Sequence, residues 1–248
     1  MTMRIGILFL TVGVAALGFG DETKPWKLDF EIGAAYLSRN DVRIPGDMGT
    51  KFSFGDLIGK GRVLTARIDL TFERGTGPGW RVLYAPLVAS GSGEFGSAVD
   101  FEGTTFAAGV PTDGRYQFNS YRATYRNRWK QGPTSDWRIG GTLKVRDAEV
   151  RISQGGVTRS NKNVGFVPLL HVYGEERLGD RWLFTFDFDG LAAPQGRAFD
   201  VSTRLGYEVS PGSSVFLAYR TLEGGVSNDK VFNFFWGNSV VLGWSARF

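Results

Sequence analysis

The stretch Trp182-Leu183-Phe184-Thr185-Phe186-Asp187-Phe188-Asp189 decides how this chain must be read. Trp182, Phe184, Phe186 and Phe188 occupy every second position, and Leu183, Thr185, Asp187 and Asp189 fill the places between them. A period of two sends the aromatic set to one face of an extended strand and the acidic set to the other. A helix would scatter both sets around its circumference. The pattern resumes downstream, where Phe199, Val201, Leu205, Tyr207 and Val209 share a face with Thr203, opposite Asp200, Ser202, Arg204, Gly206 and Glu208. Upstream, Leu64, Ala66, Ile68, Leu70 and Phe72 alternate with Thr65, Arg67, Asp69, Thr71 and Glu73. Leu28, Phe30, Ile32, Ala34 and Tyr36 alternate with Asp29, Glu31, Gly33 and Ala35.

A soluble sandwich also alternates, but its strands average about five or six residues. Many here run to about a dozen, and roughly ten tilted residues carry a strand across a bilayer. The pattern predicts strands over 26–38, 61–74, 79–90, 115–129, 137–152, 164–177, 181–191, 197–209, 214–223 and 231–248. That gives ten strands, with eight and twelve as the neighbouring even counts. Every second connection is short (Gly75–Gly79, Lys130–Asp136, Leu178–Asp180, Ser210–Ser213), whereas 39–60, 91–114 and 153–163 read as long, polar or glycine-rich loops. Gly91-Ser92-Gly93 and Gly155-Gly156 are read as flexible parts of those loops, since no strand-to-helix turn accompanies them.

Composition agrees. Aromatic residues make up 14% and glycines number 35, which suits strands with one apolar and one polar face. There is no cysteine, so disulfides and thiolate metal sites are excluded, and no metal-ligand spacing is visible. A net charge of +4 is too mild to point to nucleic acid. Residues 1–20 stand apart: Arg4 precedes an apolar run from Ile5 to Phe19, and Gly18 and Gly20 occupy the −3 and −1 positions of a cleavage point before Asp21. This is the form of a secretory signal peptide, leaving 21–248 as one domain.

Trp26, Trp80, Trp129, Trp137, Trp182 and Trp244 all fall at the short-turn ends of the expected strands, on the apolar parity. Indole favours a membrane–water boundary because its ring is apolar and its N–H wants a polar partner. At the C-terminus, Val240, Leu242, Trp244, Ala246 and Phe248 share one face.

In this last strand the sequence resembles the bacterial outer-membrane β-barrel superfamily, whose final strand ends in an aromatic residue preceded by apolar residues at alternate positions. The resemblance implies an all-β fold, a transmembrane antiparallel up-and-down β-barrel. It also implies an assembly signal at Val240, Leu242, Trp244 and Phe248, read by the barrel-assembly machinery. Outer-membrane lipid and lipopolysaccharide are the expected surroundings. The short turns would face the periplasm and the long loops the exterior. No cofactor is implied, and oligomeric state is not legible.

With the apolar face outward, Arg67, Asp69, Arg122, Arg126, Arg138, Lys144, Arg146, Asp187, Asp189, Arg204 and Arg220 point into the lumen by parity. They read either as a plug of mutual salt bridges in a narrow barrel or as the lining of a small or gated pore. Asp187 and Asp189 are spaced to act as a pair, or to answer arginines such as Arg204 on the next strand. Ala148, Val150 and Ile152 share the parity of Lys144 and Arg146, which predicts a register slip near Asp147 by a bulge or an exit from the bilayer. Barrel enzymes that cut peptides or modify lipids commonly use a histidine, and the single histidine here, His171, is the one catalytic candidate. Its face is ambiguous, because its neighbours are apolar on both parities. The sequence therefore supports a non-enzymatic barrel, with a lipid- or peptide-modifying enzyme using His171 as the alternative.

Overall fold

In the computed structural model, which describes residues 24–59, 62–75, 77–194 and 196–248, the alternating segments pair with their neighbours in sequence. The expected leader at 1–20 lies outside these residues. The elements are β1 (Trp26–Arg43), β2 (Phe52–Ser53), α1 (Gly55–Ile58), β3 (Arg62–Glu73), β4 (Gly79–Ala85), β5 (Val88–Glu94), β6 (Val99–Phe101), β7 (Thr104–Phe106), β8 (Pro111–Gln131), β9 (Ser135–Gln154), β10 (Val157–Arg177), β11 (Trp182–Ala193), β12 (Gly196–Ser210), β13 (Ser213–Ser227) and β14 (Phe232–Arg247). Antiparallel pairing runs from β14 through β13, β12, β11, β10, β9, β8, β4 and β3 to β1, and β1 pairs back onto β14. The sheet is thus a closed ten-stave barrel. Paired backbone bonds between Trp26 and Phe248, 3.1 and 3.0 Å, seal the turn end of the closing seam.

The third stave is broken. Pro86 has no N–H to give a ladder, so β4 stops at Ala85 and β5 restarts at Val88, both on β8. Above this break β3 no longer pairs with its neighbour, its register with β4 ending at Ile68↔Tyr84. The segment carrying β2 and α1 packs here. α1 lies against β5 at Gly91 and Gly93, and a Cβ at Gly91 would come within 2.8 Å of Ile58 Cα. Gly91-Ser92-Gly93 is therefore not flexible loop but strand whose missing side chains admit the helix.

The expected loop at 153–163 is likewise strand. β9 and β10 stay in register to Gln154↔Val157, and Gly155 and Gly156, at φ +57° and +84°, make the two-residue turn. No slip occurs at Asp147, since the β8–β9 register is unbroken there and shifts only between Arg128 and Lys130. Ala148, Val150 and Ile152 keep the inward parity, and the side chains of Val150 and Ile152 meet an apolar cap. That cap buries Phe52, Phe54 and Leu57 of the first loop and Phe95, Val99, Phe101 and Phe106 of the second. They pack on Leu37, Tyr116, Val150, Ile152 and Phe235 of the wall. Burial pushes the Tyr116 hydroxyl well above the ordinary tyrosine range, and it donates to Asn233 Oδ1 at 3.1 Å.

Outside, the wall is apolar between two polar boundaries. At the turn end Trp26, Trp80 and Trp182 pack on Phe72, Tyr125 and Tyr207, with ring centroids 4.8, 4.7 and 5.1 Å apart. At the loop end Arg39 and Arg197 lie over the Phe234 ring, 5.0 and 5.6 Å from its centroid. Asp147 there accepts from Gln117 and Asn119.

A charge on this wall should cost most at mid-height. Val240 is 57% exposed halfway along β14, and Val209 is 50% exposed at the turn end of β12. Val240→Arg should lower unfolding free energy by about 2–4 kcal/mol and Val209→Arg by about 0–1 kcal/mol. Urea unfolding in one lipid composition checks this, and equal penalties would remove the depth dependence on which the membrane placement rests.

Candidate functional site

The inward faces of the staves converge on a buried layer of charge at mid-lumen. Asp187 and Asp189 stand two apart on β11 and so share the inner face. Arg81 reaches them from β4 on the far wall, its guanidinium 2.6 Å from Asp187 and 3.0 Å from Asp189. Arg122 of β8 spans Asp189 and Asp200, at 2.7 and 2.6 Å. Arg220 links Asp200 to Glu31 at 3.3 and 2.9 Å, and Arg204 links Glu31 to Asp29 at 2.7 and 2.9 Å. Arg67 lies 3.4 Å from Asp200 and 3.9 Å from Asp69. Most of these bonds join staves that are not neighbours, so they are struts across the lumen.

Burying isolated charges costs several kcal/mol each, and mutual attraction offsets this only when every ion is well partnered. Sharing meets that condition for most of the layer: each arginine fork serves two carboxylates, and Asp29, Glu31, Asp187, Asp189 and Asp200 each have two or more cations, whereas Asp69 has only Arg67 within ion-pair distance. Arginine suits the task because its planar fork makes two directed bonds at once.

His171 sits in this layer on β10, facing inward and 0% exposed. Its Nδ1 is 2.8 Å from Asp189 Oδ1 and its Nε2 is 3.3 Å from an Arg126 nitrogen. Thr142 donates to the same Asp189 oxygen at 2.7 Å. His171, Asp187 and Asp189 bring ligand atoms within 4.8 Å of one another, the one such group of metal-ligand type among the described residues. The Arg81 guanidinium already lies against all three, with Nη2 3.5 Å from His171 Nδ1. The trio therefore holds an organic cation and is poorly suited to a metal ion.

Arg126 and Arg138 converge on Glu73 nearer the turn end, at 2.6 and 3.2 Å. Below them Lys27, Glu175 and Arg247 line a vestibule of about 380 Å³ open to the turn side. Lys144 and Arg146 also face inward but stand apart, above the charge layer. Arg81, Asp29, Glu31 and Asp200 complete the struts, although parity alone singled out none of them as a site residue. The signal for Arg81 was present: Trp80, Val82 and Tyr84 are outward, which turns Arg81 inward. Arg204 lies 3.9 Å from Asp187, so the main partner of that acid is not on the adjacent strand. The six tryptophans of the belt all lie at the turn end, with the Trp137 indole donating to Glu176 and that of Trp244 to Ser213. Val240, Leu242 and Phe248 are exposed on the outer wall, whereas Ala246 is buried.

No protein-family model matches the sequence, and no curated protein matches it. Solved structures do. The outer membrane protease OmpT from Escherichia coli superposes with a TM-score of 0.51 at 12% identity, over 94% of this chain and 99% of that one. Ail of Yersinia pestis gives a TM-score of 0.40 at 13% identity, over 90% and 99%. Neisserial surface protein A gives 0.38 at 12%, over 90% and 97%. At 12% identity the likeness to OmpT shows the fold alone. Closed antiparallel wall, apolar exterior and shared architecture define the class: this is a β-barrel of the bacterial outer-membrane type.

If the struts are shared, removing one carboxylate strands several cations. Asp189→Asn should lower unfolding free energy by about 3–5 kcal/mol. Glu223→Gln, which frees the exposed Arg197 on the outer wall, should cost far less. Equal, small losses would mean that the network contributes little.

Proposed function

We propose that this protein is a closed, non-enzymatic barrel of the outer membrane, a structural or surface protein and not an open pore. The observation that carries this reading is the double closure of the lumen. Arginine–carboxylate struts cross it at mid-height, and the apolar cap fills it above. An ion entering from the vestibule would have to displace bonded guanidinium groups, then pass a layer of packed phenyl rings that offers it no ligand.

The alternative, a lipid- or peptide-modifying enzyme acting through His171, has weaker support. A general base must reach the proton that it abstracts. His171 is enclosed, and its ring nitrogens are engaged by Asp189, Arg126 and Arg81. No hydroxyl is hydrogen-bonded to it among the described residues.

In this reading the apolar wall meets outer-membrane lipid and lipopolysaccharide. The last strand, through Val240, Leu242, Trp244 and Phe248, is what the barrel-assembly machinery engages. The surface presented outside is the cap with the β9–β10 hairpin rising beside it.

Purified protein reconstituted in planar bilayers should give no regular conductance steps. Reproducible open-channel events from the wild-type chain would replace the closed barrel by a pore.

A further inference from the structure

The barrel wall is incomplete on one side of its upper half. β10 rises to Val157, but the adjoining β11 and β12 end in a short hairpin at Ala193 and Gly196. Pairing between β10 and β11 stops at Leu170↔Gly190, so β10 above Leu170 has β9 on one side and no stave on the other. Pro168, just above the break, has no N–H with which to extend that ladder.

The gap leads to a cavity of about 400 Å³ inside the barrel, above the charge layer and beside the cap. That volume is within the range of small-molecule sites. Its walls are largely apolar, with Val167, Leu191, Ala198, Leu222 and Phe235 among them. Its surroundings outside are apolar as well. Phe166, 72% exposed on the outer face of β10, flanks the gap, and the facing hairpin begins Leu191-Ala192-Ala193-Pro194. Arg197, which marks the polar boundary over Phe234, sits at the foot of this hairpin. The opening therefore lies at the level of the outer leaflet.

Three cations line the cavity together with the Glu223 carboxylate, which pairs with Arg197 at 2.7 Å; the other two, Lys144 and Arg146, differ from every other inward cation described above. Lys27, Arg67, Arg81, Arg122, Arg126, Arg138, Arg204 and Arg220 each have a carboxylate within ion-pair distance. Lys144, only 2% exposed, has none among the described residues, and its ammonium rests over the Phe118 ring at 4.6 Å. Arg146 donates to Asn163 Oδ1 and likewise has no carboxylate, and its buried Nε has no hydrogen-bond partner. A buried cation without a counter-charge is costly. Lys144 is such a cation, and with the half-buried Arg146 in the same apolar cavity it makes a built site for an anion that arrives with its own apolar body.

We propose that the gap between β10 and the β11–β12 hairpin is a side entrance from the outer leaflet to a binding site for a single-chain amphiphile with an anionic head, of the long-chain carboxylate class. The head sits between Lys144 and Arg146, and the alkyl chain runs out past Val167 and Leu191 toward lipid. No passage through the barrel is needed, so a closed lumen and a loaded side pocket are compatible.

The test is equilibrium binding of radiolabelled laurate to the full barrel in zwitterionic phosphatidylcholine vesicles, with empty vesicles as the baseline for partition. Dodecanol, which has the chain without the charge, and acetate, which has the charge without the chain, are the competitors. Laurate should bind saturably at one site per barrel, and neither competitor should displace it. Lys144→Gln should weaken binding by about tenfold or more, the loss expected when one partner of a buried charge pair is removed. Lys144→Arg should retain it. Val167→Trp, which fills the cavity and leaves both cations in place, should abolish it, so the proposal stays testable if Lys144→Gln fails to fold. Displacement by dodecanol as effective as by laurate would reduce the site to an apolar crevice. Displacement by acetate would make it a simple anion site. Absence of saturable binding, or unchanged binding in folded Val167→Trp, would overturn the proposal.

Discussion

The constraint on which the structure depends is the neutralisation of charge inside a narrow, dry tube. A ten-stave barrel is only a little wider than one that side chains fill, so inward arginines reach carboxylates on the opposite wall. Arg81 to Asp187 and Asp189, Arg122 to Asp200, and Arg204 to Asp29 and Glu31 are bonds of this kind. They fix the cross-section, and the staves cannot separate without exposing partnerless ions to a low-dielectric interior. The interior here is held by electrostatics because the apolar side chains are committed to the outer wall, the inverse of a soluble fold.

Above the charge layer the logic changes. There the outer face meets water, and the inner face is free to become apolar. Val150 and Ile152 of β9, Tyr116 of β8 and Phe235 of β14 turn inward to a core made with Phe54, Phe101 and Phe106 of the loops. One strand can thus carry charged residues inside at mid-membrane and apolar residues inside beyond it, on unbroken parity. A small soluble-type core is stacked on a membrane barrel, and it folds the two long connections into a lid.

The staves were legible in the sequence because alternation is local. Each strand states its own facing, and Trp26, Trp80, Trp129, Trp137, Trp182 and Trp244 state which end is which. The lid was not legible, because Phe52, Phe54, Phe101 and Phe106 are scattered through polar stretches and become a cluster only when two loops meet. The top of the β9–β10 hairpin was missed because the stretch 158–163 is polar on both faces, and Gly155-Gly156 reads equally as loop or tight turn. His171 was ambiguous for a related reason: below the gap Leu170 is exposed on the outer wall, Leu169 and Tyr173 are buried inside, and so both parities are apolar. The trio of His171, Asp187 and Asp189 around Arg81 depends on which staves face each other across the lumen. Individual strand patterns carry no such information.

The dry, closed interior is the central claim, and the absence of native cysteine makes it directly measurable. Ser202 points into the charge layer and is 1% exposed, whereas Ser97 is exposed on the lid. Single Ser202→Cys and Ser97→Cys variants, folded in vesicles, should be treated with a charged, membrane-impermeant maleimide from both sides. Position 97 should label rapidly and position 202 not at all until the barrel is unfolded in urea. Labelling at 202 in the folded protein at a rate comparable to 97 would mean that water and ions fill the lumen, and would contradict a dry, closed interior.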